Sequence, residues 1–346
     1  MTLLKHIFTG LLLLCATAVA AHDFEVNGIF YKIIPYSFSS VEVSCSWREN
    51  DVVIPGHVVY RGRSYGVKGI GDRAFGGCSS LKSITIPNSV QYIGNDAFSD
   101  CSSLNAVHIS NLAAWCNIDF KNIRANPLYY AKSLYLNGNL LTELTIPNSV
   151  TKIEDYAFEG CSSLTSITIP NSVTSIEYGA FMGCSSFTSI TIPNSVTNIE
   201  DNTFNGCSSL TSINIPNCVT KIGRGTFSGC SSLTSVTIPN SVTTIGSSAF
   251  YDCSSLTSIN IPDSVTQIGN HAFYNCSSLT SITLPNSVTT IGEYAFSDCS
   301  SLKSINIPNC VTTIERGTFS GCSSITSITI PNRVTSIESS AFSKCI

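Results

Sequence analysis

The sequence predicts a β-rich repeat solenoid, and three periodic columns predict it. Cysteines recur every 23 residues from Cys161 to Cys345, phenylalanines from Phe158 to Phe342, and prolines from Pro147 to Pro331. Residues of buried type at one fixed period mean that each repeat is a coil stacked on the next. A solenoid grows by addition, so 346 residues need not divide into ordinary globular domains.

The chain opens with what reads as a secretory signal at 1–21. Lys5 is its positive start, Ile7 to Cys15 its apolar core, and Ala18-Val19-Ala20 fits a small-residue cleavage site. The apolar run is too short for a membrane span, and no later run qualifies. Leu14 precedes Cys15 where a lipoprotein signal wants a small residue, which argues against lipidation. Residues 22–69 lack the repeat. Their β-rich runs are Phe24–Ile34, Val41–Cys45, His57–Tyr60 and Tyr65–Val67, with turn signals at Asn27-Gly28, Pro55-Gly56 and Arg61-Gly62. They predict a small N-terminal β cap over the first coil.

Repeats then fill 70–346, and the copy starting at Leu164 shows the logic. Leu164, Ile167 and Ile169 match the L-x-x-L-x-L pattern of leucine-rich repeats. Ile167-Thr168-Ile169 alternates as a strand with one buried face does. Pro170 ends the strand, because proline cannot donate to a ladder, and Pro170-Asn171 starts a turn. Val173 and Ile176 turn inward, Ala180-Phe181 anchors a short helical or irregular convex segment, and Gly183 releases the chain into the next coil. The expected product is a parallel concave sheet backed by such segments. Position nine of each coil, where a small group satisfies loop backbone, is usually Ser (Ser172, Ser195, Ser241) but Cys at 218 and 310. Arg333 takes this place in the last complete coil, which predicts a looser edge there.

From Cys101 to Cys161 the spacing is 60 residues, 14 more than two periods, so an insert falls in about 110–140. Asn137-Gly138 between apolar runs reads as a hairpin turn. Trp115, Tyr129, Tyr130 and Tyr135 gather aromatic mass in this stretch, and repeat insertions often sit on binding faces.

Of the sixteen cysteines, eleven sit at the repeat position. Stacked coils would place successive ones about 5 Å apart with parallel side chains, a geometry awkward for disulfide torsion. The expectation is a ladder of reduced, buried thiols. The five histidines share no spacing with the cysteines, so no zinc site and no metal or other cofactor is expected.

The words IPNSVTSIE, AF and GCSSLTSI, repeated about eleven times from Ile70 to Ile346, resemble the BspA-like, or Treponema pallidum type, leucine-rich repeats of bacteria and protists. The leader FEVNGIFYKI and the insert AAWCNIDF with NPLYYA and LYLNG are similar to segments of such proteins. The resemblance implies a secreted or cell-surface protein, some relatives being adhesins for host matrix or for other bacteria. It implies protein partners, and the lack of catalytic motifs in the sequence argues against an enzyme. Family members often carry a C-terminal anchoring module, and none is visible after Cys345.

Composition points the same way. Only 12% of residues are charged and the net charge is −4, with no basic stripe for nucleic acid. The sequence shows no nucleophile elbow, phosphate loop or zinc-protease motif. The recurring Glu154, Glu177, Glu200, Glu315 and Glu338 read as solvated edge positions, and Asn275-Cys276-Ser277 as a chance glycosylation match. Two candidate partner surfaces emerge. One is the aromatic insert. The other is the outward column Thr168, Thr191, Asn214, Thr237, Asn260 and Thr283, beside an all-Ser column from Ser166 to Ser327. Large rings make the insert the expected anchor, because binding energy concentrates on aromatic residues. The alternative is carbohydrate or lattice binding along the Ser and Thr columns.

Overall fold

The structure, a computed structural model, describes residues 22–46 and 50–345. The signal reading of 1–21 and residue 346 lie outside the described residues. The chain forms two compact units, Met1–Asn139 and Leu140–Ile346.

In the first unit, β1 (Phe24–Val26) and β2 (Ile29–Ile33) form a hairpin. Asn27 and Gly28 both take positive φ, 52° and 77°, as the tight reversal requires. β2 pairs antiparallel with β3 (Ser40–Ser46). β4 (Asn50–Val53) escapes the sequence reading because its Asn-Asp start hides a strand. β5 (His57–Tyr60) and β6 (Arg63–Ile70) form a second hairpin. Tyr31, Val41, Val43 and Val67 are fully buried between these elements.

This segment joins the coils by backbone pairing. β4 pairs in parallel with β7 (Leu81–Thr85), and β3 and β6 run in parallel ahead of β8 (Tyr92–Ile93). Two sheets therefore cross residue 70, because β4 and β6 occupy the same two strand positions that every later coil fills. The next coil has β9 (Ala106–Ile109), helix α1 (Leu112–Cys116), β10 (Asp119–Phe120), helix α2 (Leu128–Ala131) and β11 (Leu134–Leu136). β10 pairs with β8, and β11 with β9. The extra residues are thus spent inside a regular coil, as α1 and α2 between its strands. Asn137 and Gly138 take φ of 51° and 82° at the expected hairpin turn.

The second unit repeats one coil with three hydrogen-bonded columns. The first is the expected strand: Glu143–Thr145, Ser166–Thr168, Ser189–Thr191 and Ser212–Asn214 pair in parallel, then Ser258–Asn260, Ser281–Thr283 and Ser304–Ile305. Isolated bridges through Thr237 join the two runs. The second column is also β, where the sequence suggested only inward-turning apolars. Lys152–Ile153, Ser175–Ile176 and Asn198–Ile199 form one ladder, and Lys221–Ile222 through Thr290–Ile291 another. The third column is turn rather than helix. There Phe158, Phe181, Phe204 and Phe227 donate their amides to carbonyls of Ala180, Thr203, Thr226 and Ala249 one coil ahead. Gly183 has φ 73°, the left-handed step expected where it releases the chain.

Apolar columns fill the space between these ladders. Leu164, Val173, Ile176 and Phe181 are fully buried, and Ile167 and Ile169 are 7% and 6% exposed. Phenylalanine rings stack nearly parallel from coil to coil, Phe181 on Phe204 at 5.8 Å and Phe250 on Phe273 at 5.3 Å. No disulfide joins the fifteen described cysteines. The column thiols have a partner the sequence did not reveal. Cys101 and the column from Cys184 to Cys345 donate to the carbonyl of the phenylalanine in the preceding coil, Cys184 to Phe158 at 3.1 Å and Cys230 to Phe204 at 3.2 Å, whereas the Cys161 thiol meets the Ser163 hydroxyl. A thiol is small enough for the site and still uses a carbonyl that lies in the core.

The position-nine serines serve backbone as expected: Ser172, Ser195 and Ser241 donate to Val150, Val173 and Val219 carbonyls. Where Cys replaces Ser, the thiol is exposed at Cys218 and half-buried at Cys310. The coil carrying Arg333 is more open than the others. Its Ile337 is 53% exposed, and residues 327–329 form no strand.

Burial holds the column thiols protonated. Loss of hydration pushes Cys230 and Cys322 from 9.0 up to about 12 and Cys184, Cys207 and Cys276 well above 9.0, with a neighbouring thiol adding to the rise at all of these but Cys230. Their folded values are raised, so the stability they protect is intact below about pH 9. It falls as pH rises from there toward 12, because the unfolded chain ionises first. Each thiol removes up to about 1.4 kcal/mol per pH unit. Several together rival a domain's whole stability of about 5–15 kcal/mol. Denaturant melts should therefore collapse between about pH 9 and 11; a flat profile through that window contradicts buried protonated thiols. Native-state labelling should modify Cys218 first and the column cysteines only after denaturation. Phe227, fully buried between Phe204 at 5.8 Å and Phe250 at 5.4 Å, should cost roughly 3–5 kcal/mol as Phe227→Ala. A loss under about 1 kcal/mol would place its ring outside the stack.

Candidate binding surface

The two surfaces proposed from sequence fare differently. Trp115 was expected as a surface anchor, but it is 1% exposed and packs edge-on against Phe120 at 5.3 Å. The physical reason is local. Asn111 caps α1 by accepting from the Ala114 amide, and the short helix turns Leu112, Trp115 and Cys116 inward. Trp115 is therefore core. Tyr130 is half-buried, and its phenol accepts the Asp100 amide at 2.9 Å. Tyr129 meets Tyr130 at 4.9 Å and lies under the Lys132 ammonium at 5.2 Å. Tyr135, on β11, stacks with His108 across the parallel pair at 4.8 Å. The rings thus take different packing partners.

The second surface is assembled by register. Thr168 pairs with Thr191, Thr191 with Asn214, and bridges continue through Thr237 to Asn260, which pairs with Thr283. All six are exposed. Alternation explains it: Ile167 and Ile169 point in, so the residue between them points out. Strand spacing then sets one hydroxyl or amide about every 4.8 Å.

Not every hydroxyl on the coils is available to a partner. Thr165, Thr211, Thr234, Thr257 and Thr280, near the strand starts, donate to the carbonyl one coil back. Thr174, Thr243, Thr266 and Thr289 do the same at the second column. The Thr168-to-Thr283 side chains take no part in this pattern. Beside them runs a column the sequence reading passed over as turn chemistry: Asn171, Asn194, Asn217, Asn240 and Asn286, all exposed. Its signal was the 23-residue spacing of the Pro-Asn pair, interrupted between Asn240 and Asn286 by an exposed Asp263. An open groove of about 480 Å³ lies between the columns, with Thr168, Thr191 and Asn214 on one side and Asn171 and Asn194 on the other.

The chemistry of this groove is hydrogen bonding without charge. The recurring carboxylates lie elsewhere: Glu177 donates its amide to Ile153 at the second column, and Lys152 faces Glu154 and Glu177 there. Asn275 of the glycosylation-like triplet is half-buried and donates to Asp252 at 2.8 Å. Among the described residues no cluster of His, Cys, Asp and Glu could hold a metal ion, and no helix is long and apolar enough to cross a membrane.

The family model for the BspA type leucine rich repeat region matches six copies, over residues 64–126, 129–257 and 243–346. The chain belongs to the BspA-type leucine-rich-repeat family. Its solenoid is similar to that of a leucine rich cell surface protein from Faecalibacterium prausnitzii, at 29% identity and TM-score 0.63, covering 93% of this chain and 92% of that one. A leucine-rich repeat protein from Bacteroides ovatus is 30% identical with TM-score 0.57, covering 94% and 93%. The pneumococcal vaccine antigen PcpA shares the fold at 20% identity and TM-score 0.59, covering 93% and 86%. No curated protein matches the chain. The family is thus one of bacterial leucine-rich-repeat proteins with cell-surface members, and the paired Thr/Asn and Asn columns are this member's exposed, repeated chemistry.

Proposed function

We propose that this chain is an exported bacterial surface or secreted protein that binds protein partners, and that adhesion to host matrix or to other cells is its role. One observation carries the reading. The six-residue column from Thr168 to Thr283 stays in continuous register, exposed and outside the hydrogen bonds that consume the other threonines. The cell-surface relative and the signal-like leader support export. Nothing in this face supplies a nucleophile or a general acid.

The groove favours a ligand in extended conformation. A strand or extended peptide repeats polar groups at a spacing close to that of stacked coils, so one binding mode can recur along the unit. Each contact is weak because Thr and Asn are not strong anchors. Affinity then comes from several contacts at once, and it climbs steeply with the number of coils engaged. Burial of Trp115 shifts the choice from the insert to this face, although Tyr129 and Tyr135 stay half-exposed.

The test compares retention of host-matrix and bacterial-surface proteins on the immobilised chain. Replacing Thr168, Thr191, Asn214, Thr237, Asn260 and Thr283 together by Ala should lower retention at least tenfold, while any one change costs less than about threefold. Thermal melts confirm that the combined variant folds, and a parallel Ser version keeps the small polar surface. Full retention by the combined Ala variant, with loss in Tyr129→Ala and Tyr135→Ala, would return the site to the insert.

A further inference from the structure

A second site lies on the exposed sheet face of the first unit. Register builds it. Lys32 pairs with Glu42, Glu42 with Gly69, Gly69 with Tyr92, and Tyr92 with Asp119, so these five share one face. Gly69 has no side chain, and the Tyr92 ring takes that space; a Cβ on Gly69 would fall 2.2 Å from the ring. The ring thereby reaches across a strand, and its phenol donates to Glu42 Oε2 at 2.7 Å.

One step along the same strands are Gly71 and Gly94, which follow Ile70 and Ile93. Both line a cavity of about 350 Å³. Glu42 and Tyr92 line one part, Asp72 and Asn95 another. Asp72 is fixed by accepting the Asn95 amide at 2.6 Å. Lys32 and Lys121 complete the rim. Ser44 also lines it, and its buried hydroxyl has no hydrogen-bond partner. A buried hydroxyl left unmatched costs about 1–3 kcal/mol, so something at this position is expected to satisfy it.

We propose that this cavity binds a neutral saccharide unit. The argument is chemical. Lys121 is held by Asp119, so two ammonium groups stand against three carboxylates, and the face carries too little net charge to select a strongly charged ligand. The lining holds both donors (Lys32, Lys121, Ser44) and acceptors (Glu42, Asp72), as a ring bearing hydroxyls on several carbons requires. The Tyr92 ring gives an apolar face within a polar cavity, and sugars present both kinds of surface. The volume falls within the usual range of about 300–1,000 Å³ for small-molecule sites and suits one or two sugar rings. The site is remote in chemistry from the Thr and Asn columns, which carry a single carboxylate at Asp263, and it makes the protein a reader of glycan as well as of protein.

The experiment is a titration of the mature chain with neutral hexoses, N-acetylhexosamines and their disaccharides, followed by amide chemical shifts. Shifts confined to Glu42, Gly71, Tyr92, Gly94 and Asn95 are expected. Tyr92→Leu keeps an apolar cover over Gly69 and should weaken binding roughly tenfold. Ser44→Ala removes an unpartnered buried hydroxyl, should leave the melting temperature unlowered or raise it, and should weaken binding roughly threefold. The proposal fails if no saccharide moves these amides, if the shifts map to the Thr168-to-Thr283 column, if inorganic phosphate or free lysine produces the same shifts, or if both variants bind as the native chain does.

Discussion

Backbone pairing from coil to coil is the constraint on which the second unit depends. A strand edge must find a partner at one spacing, and the three columns all meet it at once. The first two columns donate to the coil behind, as Thr165 does to Thr142 and Glu177 to Ile153; the third donates to the coil ahead, as Phe158 does to Ala180. A coil one residue longer or shorter would break one ladder and turn its inward residues outward. The fixed repeat length follows from that.

The same constraint selects the core. A carbonyl of the third column lies inside, next to the phenylalanine stack. The cysteine of the following coil reaches it at 3.1 to 3.2 Å. An alanine would leave that acceptor with less, and a leucine would not fit beside stacked rings. Where coils vary, the neighbours adjust. Thr203 and Thr318 replace Ala in the column before Phe and spend their hydroxyls on Glu200 and Glu315 carbonyls. Thr226 sits where Gly223 replaces that glutamate, and its hydroxyl is buried without a partner. One repeat thus carries an uncompensated polar atom, in a unit with enough repeats to tolerate it.

Function falls to the residues the ladders leave over. A threonine at the strand start is consumed by inter-coil bonding, whereas Thr168 between two buried isoleucines is not. In the first unit the leftover is of another kind. Gly69 gives the Tyr92 ring its place, Gly94 lets the Gly71-Asp72 backbone approach, and the tyrosine with charged groups from neighbouring strands encloses the space. A repeat surface suits many similar contacts, and a single cavity suits one ligand unit.

The sequence by itself determined the solenoid, its period, the inward columns, the free thiols' burial and the outward Thr and Asn column. All of these follow from alternation and repetition, which are local. It also placed the hairpin turn at Asn137-Gly138. Only the tertiary structure decided the second β column and the turn at the third, because Ser175-Ile176 is too short to read as a strand until its neighbours pair with it. Only the tertiary structure buried Trp115, since its partner Phe120 lies on the next element and no period marks the pair. The cavity beside Gly71 and Gly94 was equally hidden: its residues lie on or just past five strands, β2, β3, β6, β8 and β10, and cross-strand register brings them together.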